Sequence, residues 1–245
     1  MGKVYAILGD IHANIDALHV VLDDARSNGV TDFVCLGDVV GYNAEPAECI
    51  RIVRDELCCP VVRGNHDHYV SYLDTNLADF HPSAAQVVQW TRSQLSESDI
   101  KWLHDLPLRR PVMGFMLVHS TLDKPEDWGY VFDNQQAEAN FSYQMTPVCF
   151  HGHTHVPIVY AHEPRGVVHY EPRDFNIELG QKLFINVGSV GQPRDGDPRA
   201  SYVIYDVAAR QIRFRRLEYD VQAAMARNRA ARLPEKCAAR LEVGR

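Results

Sequence analysis

Short apolar runs alternate with longer amphipathic stretches along the first half of the chain. Hydrophobic residues dominate positions 4–8, 33–36 and 60–62, and runs of this length are typical of buried strands. Between them, residues 14–28 and 46–57 repeat apolar positions at helical spacing. This alternation predicts βαβ units and a largely parallel sheet.

Two further helices are predicted before the middle of the chain. They span residues 83–95 and 97–106, and a serine stands at the start of each, Ser83 and Ser96. Serine is a preferred N-cap because its hydroxyl accepts from a backbone N–H group of the first turn.

The second half of the chain has a different pattern, in which strands predominate. Residues 108–112 and 115–118 flank Met113-Gly114 and predict a hairpin. Further short β candidates are residues 147–150, 157–160, 167–170, 183–186, 202–206 and 211–216. From Asp220 onward an Ala/Arg-rich helix is predicted, interrupted at Pro234. With no repeat or linker in the sequence, we expect one α/β domain over residues 1–245, without a separate cap domain.

Composition excludes several classes of protein. Of the 245 residues, 46% are hydrophobic and 23% charged, as in ordinary globular domains rather than disordered or collagen-like chains. Lys+Arg 25 against Asp+Glu 32 gives a net charge of −7, so we expect neither a nucleic-acid polymer nor a membrane as partner. The six cysteines lack a disulfide framework and no signal peptide is apparent, which favours the cytoplasm. A homo-oligomer remains open.

Metal-binding side chains follow five of the apolar runs. Four of these places also contain a glycine suited to a sharp turn, and the segments are Gly9-Asp10-Ile11-His12, Gly37-Asp38, Gly64-Asn65-His66-Asp67, His119 and Gly152-His153-Thr154-His155. Groups at the carboxyl ends of neighbouring parallel strands meet in one crevice. Carboxylate, amide and imidazole ligands without thiolate suit Mn, Fe, Zn, Ni or Co. Seven such groups are enough for two divalent ions.

In order and spacing, these segments resemble the five motif blocks of the calcineurin-like metallophosphoesterase superfamily. Residues 80–92 and 186–199 further resemble its compact, cap-less bacterial and archaeal branch, which is labelled diadenosine-tetraphosphatase-like or protein-phosphatase-like. The resemblance implies two mixed β-sheets packed as a sandwich flanked by helices. It also implies an active site at the C-terminal ends of the strands.

The resemblance assigns seven metal ligands in two groups that share one carboxylate. One ion would be bound by Asp10, His12 and His155, the second by Asn65, His119 and His153, and both would be bridged by Asp38. Two departures from the usual family pattern, Ser120 and Val187, replace no ligand and bear only on loop shape.

Three more residues receive catalytic roles from the same resemblance. His66 corresponds to the family's catalytic histidine, which protonates the leaving oxygen, and Asp67 is placed to orient its ring. Arg63 stands where phosphatases of this superfamily often keep a phosphate-binding arginine. The loop 188–191 either lines the substrate cleft with backbone N–H groups or forms an ordinary turn.

The function implied is a dinuclear metal-dependent phosphoesterase that hydrolyses small phosphodiesters or nucleotides. The attacking group would be a metal-bridging hydroxide. One alternative is a Ser/Thr phosphoprotein phosphatase, although Asp67 stands where those enzymes have Glu. Another is a dinucleoside tetraphosphate hydrolase. A non-enzymatic alternative is a scaffold of the same fold, which should have lost His66 or the ligands.

Overall fold

The computed structural model describes residues 2–245, apart from the side chain of Asp79. Its strands are β1 (Val4–Leu8), β2 (Asp32–Cys35), β3 (Arg109–Val112), β4 (Phe115–Val118), β5 (Val148–His151), β6 (Ile158–Glu163), β7 (Gly166–Tyr170), β8 (Phe175–Asn176), β9 (Lys182–Asn186), β10 (Ala200–Asp206) and β11 (Gln211–Leu217). Its α-helices are α1 (Ile15–Ser27), α2 (Pro46–Arg51), α3 (Asn65–Ser71), α4 (Pro82–Gln94), α5 (Glu97–Asp105), α6 (Asn134–Tyr143), α7 (Val221–Ala230) and α8 (Glu235–Val243).

The strands form two mixed sheets. The first has the order β2-β1-β10-β11-β8, and the second has the order β3-β4-β5-β9-β6-β7. Strands β1 and β2 are parallel, as are β4, β5 and β9, and the other pairings are antiparallel. The fold predicted from the resemblance is therefore confirmed.

The expectation of a largely parallel sheet in the first half of the chain is wrong. Strand β10 comes from the far end of the sequence and pairs antiparallel with β1, so the early strands do not build a sheet of their own. The run at 60–62 contributes only a single parallel bridge between Cys35 and Val61.

Alternating side chains bury both faces of the first sheet. In β1, Tyr5 and Ile7 face the second sheet, whereas Ala6 and Leu8 face the helices. The layer between the sheets includes an aromatic group in which the ring of Phe115 lies 5.1 Å from that of Tyr5. The outer face of the second sheet is covered by α6. Burial on both sides explains why the central strands are apolar runs rather than alternating ones.

The helix starts follow capping chemistry with one correction. Ser96 and Asp99 form a capping box at the start of α5, as expected from the serine. Ser83 does not cap α4, because the helix already begins at Pro82 and the side chain of His81 accepts from the N–H of Ser83. Proline at the first helical position needs no N–H partner. None of the helices in the described residues has the length and apolar character needed to cross a membrane.

One partly buried ion pair connects a helix to the first sheet. The carboxylate of Asp24 in α1 accepts from Arg215 of β11 at 2.7 and 2.9 Å and from the hydroxyl of Tyr202 of β10 at 2.6 Å. Burial alone would raise the pKa of Asp24, but these hydrogen bonds outweigh burial and lower the pKa below its ordinary value.

We predict that Asp24→Asn lowers the free energy of unfolding by about 1–3 kcal/mol at pH 7. Because the folded-state pKa is lowered, the stabilisation is present above the unfolded-state pKa of about 3.9 and disappears as the pH falls through the folded value. Urea unfolding between pH 7 and pH 3 measures this. Asp23→Asn, at the exposed neighbouring position, is the control. A difference from wild type that is constant with pH would contradict the assignment.

Candidate metal centre

Side chains from both sheets meet where their parallel strands end. Asp10 follows β1 and Asp38 follows β2 in the first sheet, whereas His119 follows β4 in the second. Backbone hydrogen bonds connect the loops after neighbouring strands, from Asp10 N to Gly37 O at 3.1 Å and from Gly152 N to His119 O at 2.9 Å. The convergence expected for the C-terminal ends of the strands is therefore present.

The backbone at this edge is strained. Five site residues have φ between 47° and 67°, a region that non-glycine residues seldom adopt, namely Asp10, His12, Asp38, His153 and His155. Such conformations cost of order 1–3 kcal/mol each and persist only where the surroundings enforce them. Two glycines permit the close approach of backbone, because a Cβ at Gly64 would collide with the Asp38 carboxylate and one at Gly152 with that of Asp10.

The first cluster consists of Asp10, His12, Asp38 and His155, all buried, with potential ligand atoms within 4.8 Å of one another. Asp10 Oδ1 lies 3.2 Å from His155 Nε2 and 3.9 Å from His12 Nε2. Backbone N–H of His153 donates to the Asp10 carboxylate at 3.1 Å and holds its orientation.

The second cluster shares Asp38 with the first and adds His119 and His153. Asn65 joins it, with its Oδ1 atom 3.1 Å from His119 Nε2. Asp38 Oδ2 is 3.5 Å from His12 Nε2 and 3.4 Å from His119 Nε2, so one oxygen faces both clusters. The structure therefore brings together all seven side chains that the sequence predicted as ligands.

Each histidine of the two clusters points one ring nitrogen at a backbone carbonyl. The pairs are His12 Nδ1 with Val40 O at 3.1 Å, His119 Nδ1 with Leu36 O at 2.8 Å, His155 Nδ1 with Gln192 O at 2.5 Å and His153 Nε2 with Trp128 O at 2.9 Å. A carbonyl oxygen only accepts, so these nitrogens carry the protons. The other nitrogen of every ring carries a lone pair and faces the clusters.

These lone pairs face each other at short range. His12 Nε2 and His155 Nε2 are 3.1 Å apart, and His119 Nε2 and His153 Nδ1 are also 3.1 Å apart. Two acceptors cannot share a hydrogen bond, and buried acceptors without a donor are unfavourable. A cation beside each pair removes the repulsion, so the residues present fit two divalent metal ions.

The pKa values of the cluster residues also favour bound metal ions. Burial lowers the pKa of His12 well below its ordinary value and that of His153 to about 2, so the imidazoles are neutral, as metal ligands must be. Burial, assisted by the charges of Asp67 and Asp10, raises the pKa of Asp38. Positive ions at this place would supply the charge that two buried carboxylates need.

His66 lies beside the clusters and is not part of them. Its ring centroid is 4.9 Å from that of His12 and 4.3 Å from that of Tyr42. The buried Nδ1 atom of His66 has no hydrogen-bond partner among the described residues. The backbone N–H of His66 donates to Asp38 Oδ1 at 2.8 Å, which fixes the orientation of the carboxylate shared by the two clusters.

Asp67 has a different part from the one expected. Its carboxylate accepts from the backbone N–H groups of Gly64 at 3.0 Å, Val39 at 2.9 Å and Val40 at 3.3 Å. Both carboxylate oxygens are thus occupied by the backbone. Asp67 positions the start of α3, and with it His66, rather than holding the His66 ring.

Arg63 is directed toward α3 and α5. Its Nη1 donates to the hydroxyl of Tyr72 at 2.8 Å and to the carbonyl of His104 at 2.7 Å. The guanidinium also lies over the Tyr72 ring, 4.9 Å from the centroid. These contacts occupy Nη1 only, and the buried Nε atom of Arg63, like that of Arg194, has no hydrogen-bond partner among the described residues.

Arg194 is the guanidinium whose charge acts on the clusters, and the sequence analysis gave it no role. Its Nη2 donates to the Tyr42 hydroxyl and to Gln192 Oε1, both at 3.1 Å. After burial, the charge of Arg194 is the next largest cause that lowers the pKa of His66 and of His155. The sequence signal that could have indicated Arg194 was its position within residues 186–199, a segment that resembles the compact branch of the family.

The loop 188–191 supports the first cluster. Val190 N donates to Gly9 O at 3.0 Å and Gly191 N to Asp10 O at 2.9 Å. Ser189 Oγ also donates to Asp10 O, at 2.8 Å. These donors are occupied by the backbone around Asp10, so they hold that residue in place and are not free to line a cleft.

Comparisons with known proteins agree with this geometry. The sequence model of a family described as the calcineurin-like phosphoesterase superfamily domain matches residues 4–210. An uncharacterized protein of Methanocaldococcus jannaschii is 37% identical, over 99% of both chains. The crystal structure of a metallophosphoesterase from Sphaerobacter thermophilus has a TM-score of 0.90 and 37% identity, with 100% of both chains covered.

A second curated relative is more distant. The symmetrical bis(5′-nucleosyl)-tetraphosphatase of Actinobacillus pleuropneumoniae is 31% identical over 119 residues, which are 46% of this chain and 43% of that protein.

We predict that Asp38→Asn lowers the metal content of protein reconstituted with Mn²⁺ from two ions per chain to at most one. One oxygen of the Asp38 carboxylate, Oδ2, faces both clusters, and a neutral amide oxygen cannot replace that charge between two ions. Elemental analysis after gel filtration measures this, with Asp23→Asn as the control. Two retained ions in Asp38→Asn would exclude a bridging role.

Proposed function

Because the chain belongs to the calcineurin-like phosphoesterase superfamily, we propose that it is a dinuclear enzyme acting on small phosphodiesters or nucleotides. Its relatives are named as phosphatases and phosphoesterases, and the chain is a hydrolase of phosphoric esters. The dinuclear proposal rests on two short contacts between histidine nitrogens that both carry lone pairs. One contact lies in each cluster, and the two clusters share Asp38.

The seven ligands would hold two divalent ions, whose identity among Mn, Fe, Zn, Ni and Co the donor set leaves open. When bound, such ions stabilise negative charge on the phosphoryl oxygens and activate water as a nucleophile. The protein supplies the geometry, since every inward nitrogen is fixed through a carbonyl on the opposite side of its ring.

His66 would donate the proton to the leaving oxygen. It is placed at the edge of the clusters, and its Nδ1 is not engaged by any described residue. Burial, followed by the charge of Arg194, lowers the pKa of His66 in the free protein. An anionic phosphate bound beside the ring opposes that effect and favours the protonated form.

Arg194 would bind a non-bridging phosphate oxygen. Its charge acts on the buried groups of the first cluster, and its Nε atom is buried without a hydrogen-bond partner among the described residues. Guanidinium groups match phosphate geometry better than ammonium groups do. Arg63, the arginine expected from the sequence, is the second candidate for this role.

Two alternative activities would use the same site. Similarity over 46% of the chain to a symmetrical tetraphosphatase supports dinucleoside tetraphosphates as substrates. Phosphoprotein phosphatase activity is supported by the stretch from Arg63 to His66 alone. A scaffold without activity is disfavoured, because His66 and all seven ligand side chains are present and assembled.

The net charge and the cysteines bear on the partner and the location of the enzyme. We propose a small phosphorylated substrate as its partner rather than a nucleic-acid polymer, in agreement with the net charge of −7. All six cysteines are free thiols, which supports a cytoplasmic location. One domain over residues 1–245 stays a prediction.

We predict that the Mn²⁺-loaded protein hydrolyses bis-p-nitrophenyl phosphate, and that His66→Ala loses at least 99% of kcat while keeping both ions. General acid catalysis contributes about 10²–10⁴-fold. Release of p-nitrophenol and elemental analysis are the two measurements. Diadenosine tetraphosphate, p-nitrophenyl phosphate and a phosphopeptide, assayed in parallel, rank the alternatives.

The matched control is His68→Ala, two residues further along α3, where the ring packs against Tyr72 with centroids 4.0 Å apart and planes inclined by 31°. We expect this variant to retain more than a third of wild-type kcat. Full activity in His66→Ala would remove that residue from the reaction, and no turnover of any compound would support the scaffold.

We predict that Arg194→Ala raises KM for the diester about tenfold or more at unchanged metal content, because a charge-assisted hydrogen bond to phosphate is lost. Arg63→Ala should change KM less than threefold, since Arg63 contacts Tyr72 and His104. Steady-state kinetics of both variants separate the two roles. The reverse order of effects would return the phosphate-binding role to Arg63.

A further inference from the structure

Two exposed aromatic rings lie next to the second cluster. Tyr130 is 48% exposed and Phe132 is 59% exposed. Their rings are nearly parallel, with centroids 5.5 Å apart and planes inclined by 11°. Tyr130 also stacks on His153, a proposed metal ligand, at 4.2 Å and 21°. We call Tyr130 and Phe132 the aromatic platform.

The platform is held by a fixed backbone. Val131, between the two rings, is only 2% exposed and packs in the cluster that includes Phe141. The N–H of Phe132 donates to Gln136 Oε1 at 2.7 Å, at the start of α6. On the other side, the carbonyl of Trp128 accepts from His153 Nε2. The same segment thus fixes a proposed ligand and presents both rings outward.

Packing within the chain does not explain this exposure. Single exposed aromatic residues are common on protein surfaces. Here two rings are adjacent and parallel, and one of them rests on a residue of the metal centre. Because Tyr130 already stacks on His153 and on Phe132, a planar ligand would stack on the exposed side of this pair, chiefly on Phe132, near the second cluster.

A pocket of about 310 Å³, whose lining includes several polar side chains, adjoins Tyr130. Asp123 and Asp127 line it together with Lys124, and neither carboxylate forms an ion pair within the described residues. Carboxylates accept hydrogen bonds from hydroxyl and amino groups and repel phosphate. Two carboxylates against the one ammonium of Lys124 leave the pocket with a net negative charge, so it suits the sugar hydroxyls or amino groups of a nucleoside better than a second phosphate.

On these grounds we propose that the aromatic platform binds the nucleobase of a nucleotide substrate whose reacting phosphate lies at the metal centre. This inference rests on the proposed function and narrows its substrate class to nucleotides. Every base presents a π-face, so stacking on tyrosine and phenylalanine would select nucleotides over aliphatic phosphates without selecting one base.

The test compares adenosine 5′-monophosphate with ribose 5-phosphate, in which an anomeric hydroxyl replaces the base. Isothermal titration calorimetry on Mn²⁺-loaded protein gives Kd for both. We expect the nucleotide to bind wild type about tenfold more tightly, which corresponds to about 1.4 kcal/mol, because a base stacked on an aromatic ring gains affinity whatever its identity. Phe132→Ala should remove most of that difference and leave the Kd of ribose 5-phosphate unchanged.

The controls separate stacking from support of the metal centre. Tyr130→Phe keeps the ring and should keep the preference, and Tyr143→Ala removes an exposed tyrosine on α6 that belongs to neither site. Tyr130→Ala should reduce nucleotide binding more than ribose 5-phosphate binding. An equal loss of both would assign Tyr130 to support of His153.

Equal affinity of wild type for the two compounds would overturn the platform. Because this measurement requires no turnover, it is independent of the proposed hydrolysis. A protein that hydrolyses bis-p-nitrophenyl phosphate but shows no preference for the nucleotide retains the proposed function and loses this inference. The opposite pair of results retains the platform and removes the proposed diesterase activity.

Discussion

The arrangement of this molecule depends on how four neutral imidazoles and two buried carboxylates are made compatible. Backbone carbonyls accept hydrogen bonds from the outward N–H groups of the rings. The inward nitrogens therefore carry lone pairs, and these face each other at 3.1 Å in two places. Hydrogen bonding cannot relieve that repulsion, because no proton remains between the rings. Two divalent cations can relieve it, and they also balance Asp10 and Asp38. The free energy of metal binding is thereby coupled to the folding of this edge of the sandwich.

The fold brings these groups together from distant parts of the sequence. The first sheet contributes Asp10 and Asp38, and the second contributes His119, His153 and His155. Left-handed backbone at several of these positions turns the side chains inward, and hydrogen bonds between adjacent loops hold the strained residues. Asp67 and the loop around Gly191 form hydrogen bonds with the backbone near the ligands, and they hold that backbone in place.

The sequence predicted the central strands and the side chains that meet in the two clusters, because both depend on local patterns. Val4–Leu8 is an uninterrupted apolar run, and the residues after it carry the ligands. Long-range pairing was not available from such patterns, which is why the partnership of β1 with β10 was missed. Helix α6 was also missed, since its residues are mostly polar and its burial comes from packing on the second sheet.

The surroundings of the clusters were less predictable for a related reason. Side chains such as Arg63 and Arg194 are long, and their direction follows from neighbouring tyrosines that no motif specifies. The aromatic platform lies in a segment without regular structure, where periodicity is uninformative. Spacing alone also could not show that the carboxylate of Asp67 is occupied by three backbone amides.

Anomalous diffraction from crystals of the Mn²⁺-loaded protein would locate the bound ions. Two peaks about 3.5–4 Å apart are expected. One should lie beside His12 and His155, the other beside His119 and His153, with Asp38 Oδ2 between them. A single peak, or two peaks without Asp38 between them, would contradict a dinuclear centre bridged by Asp38.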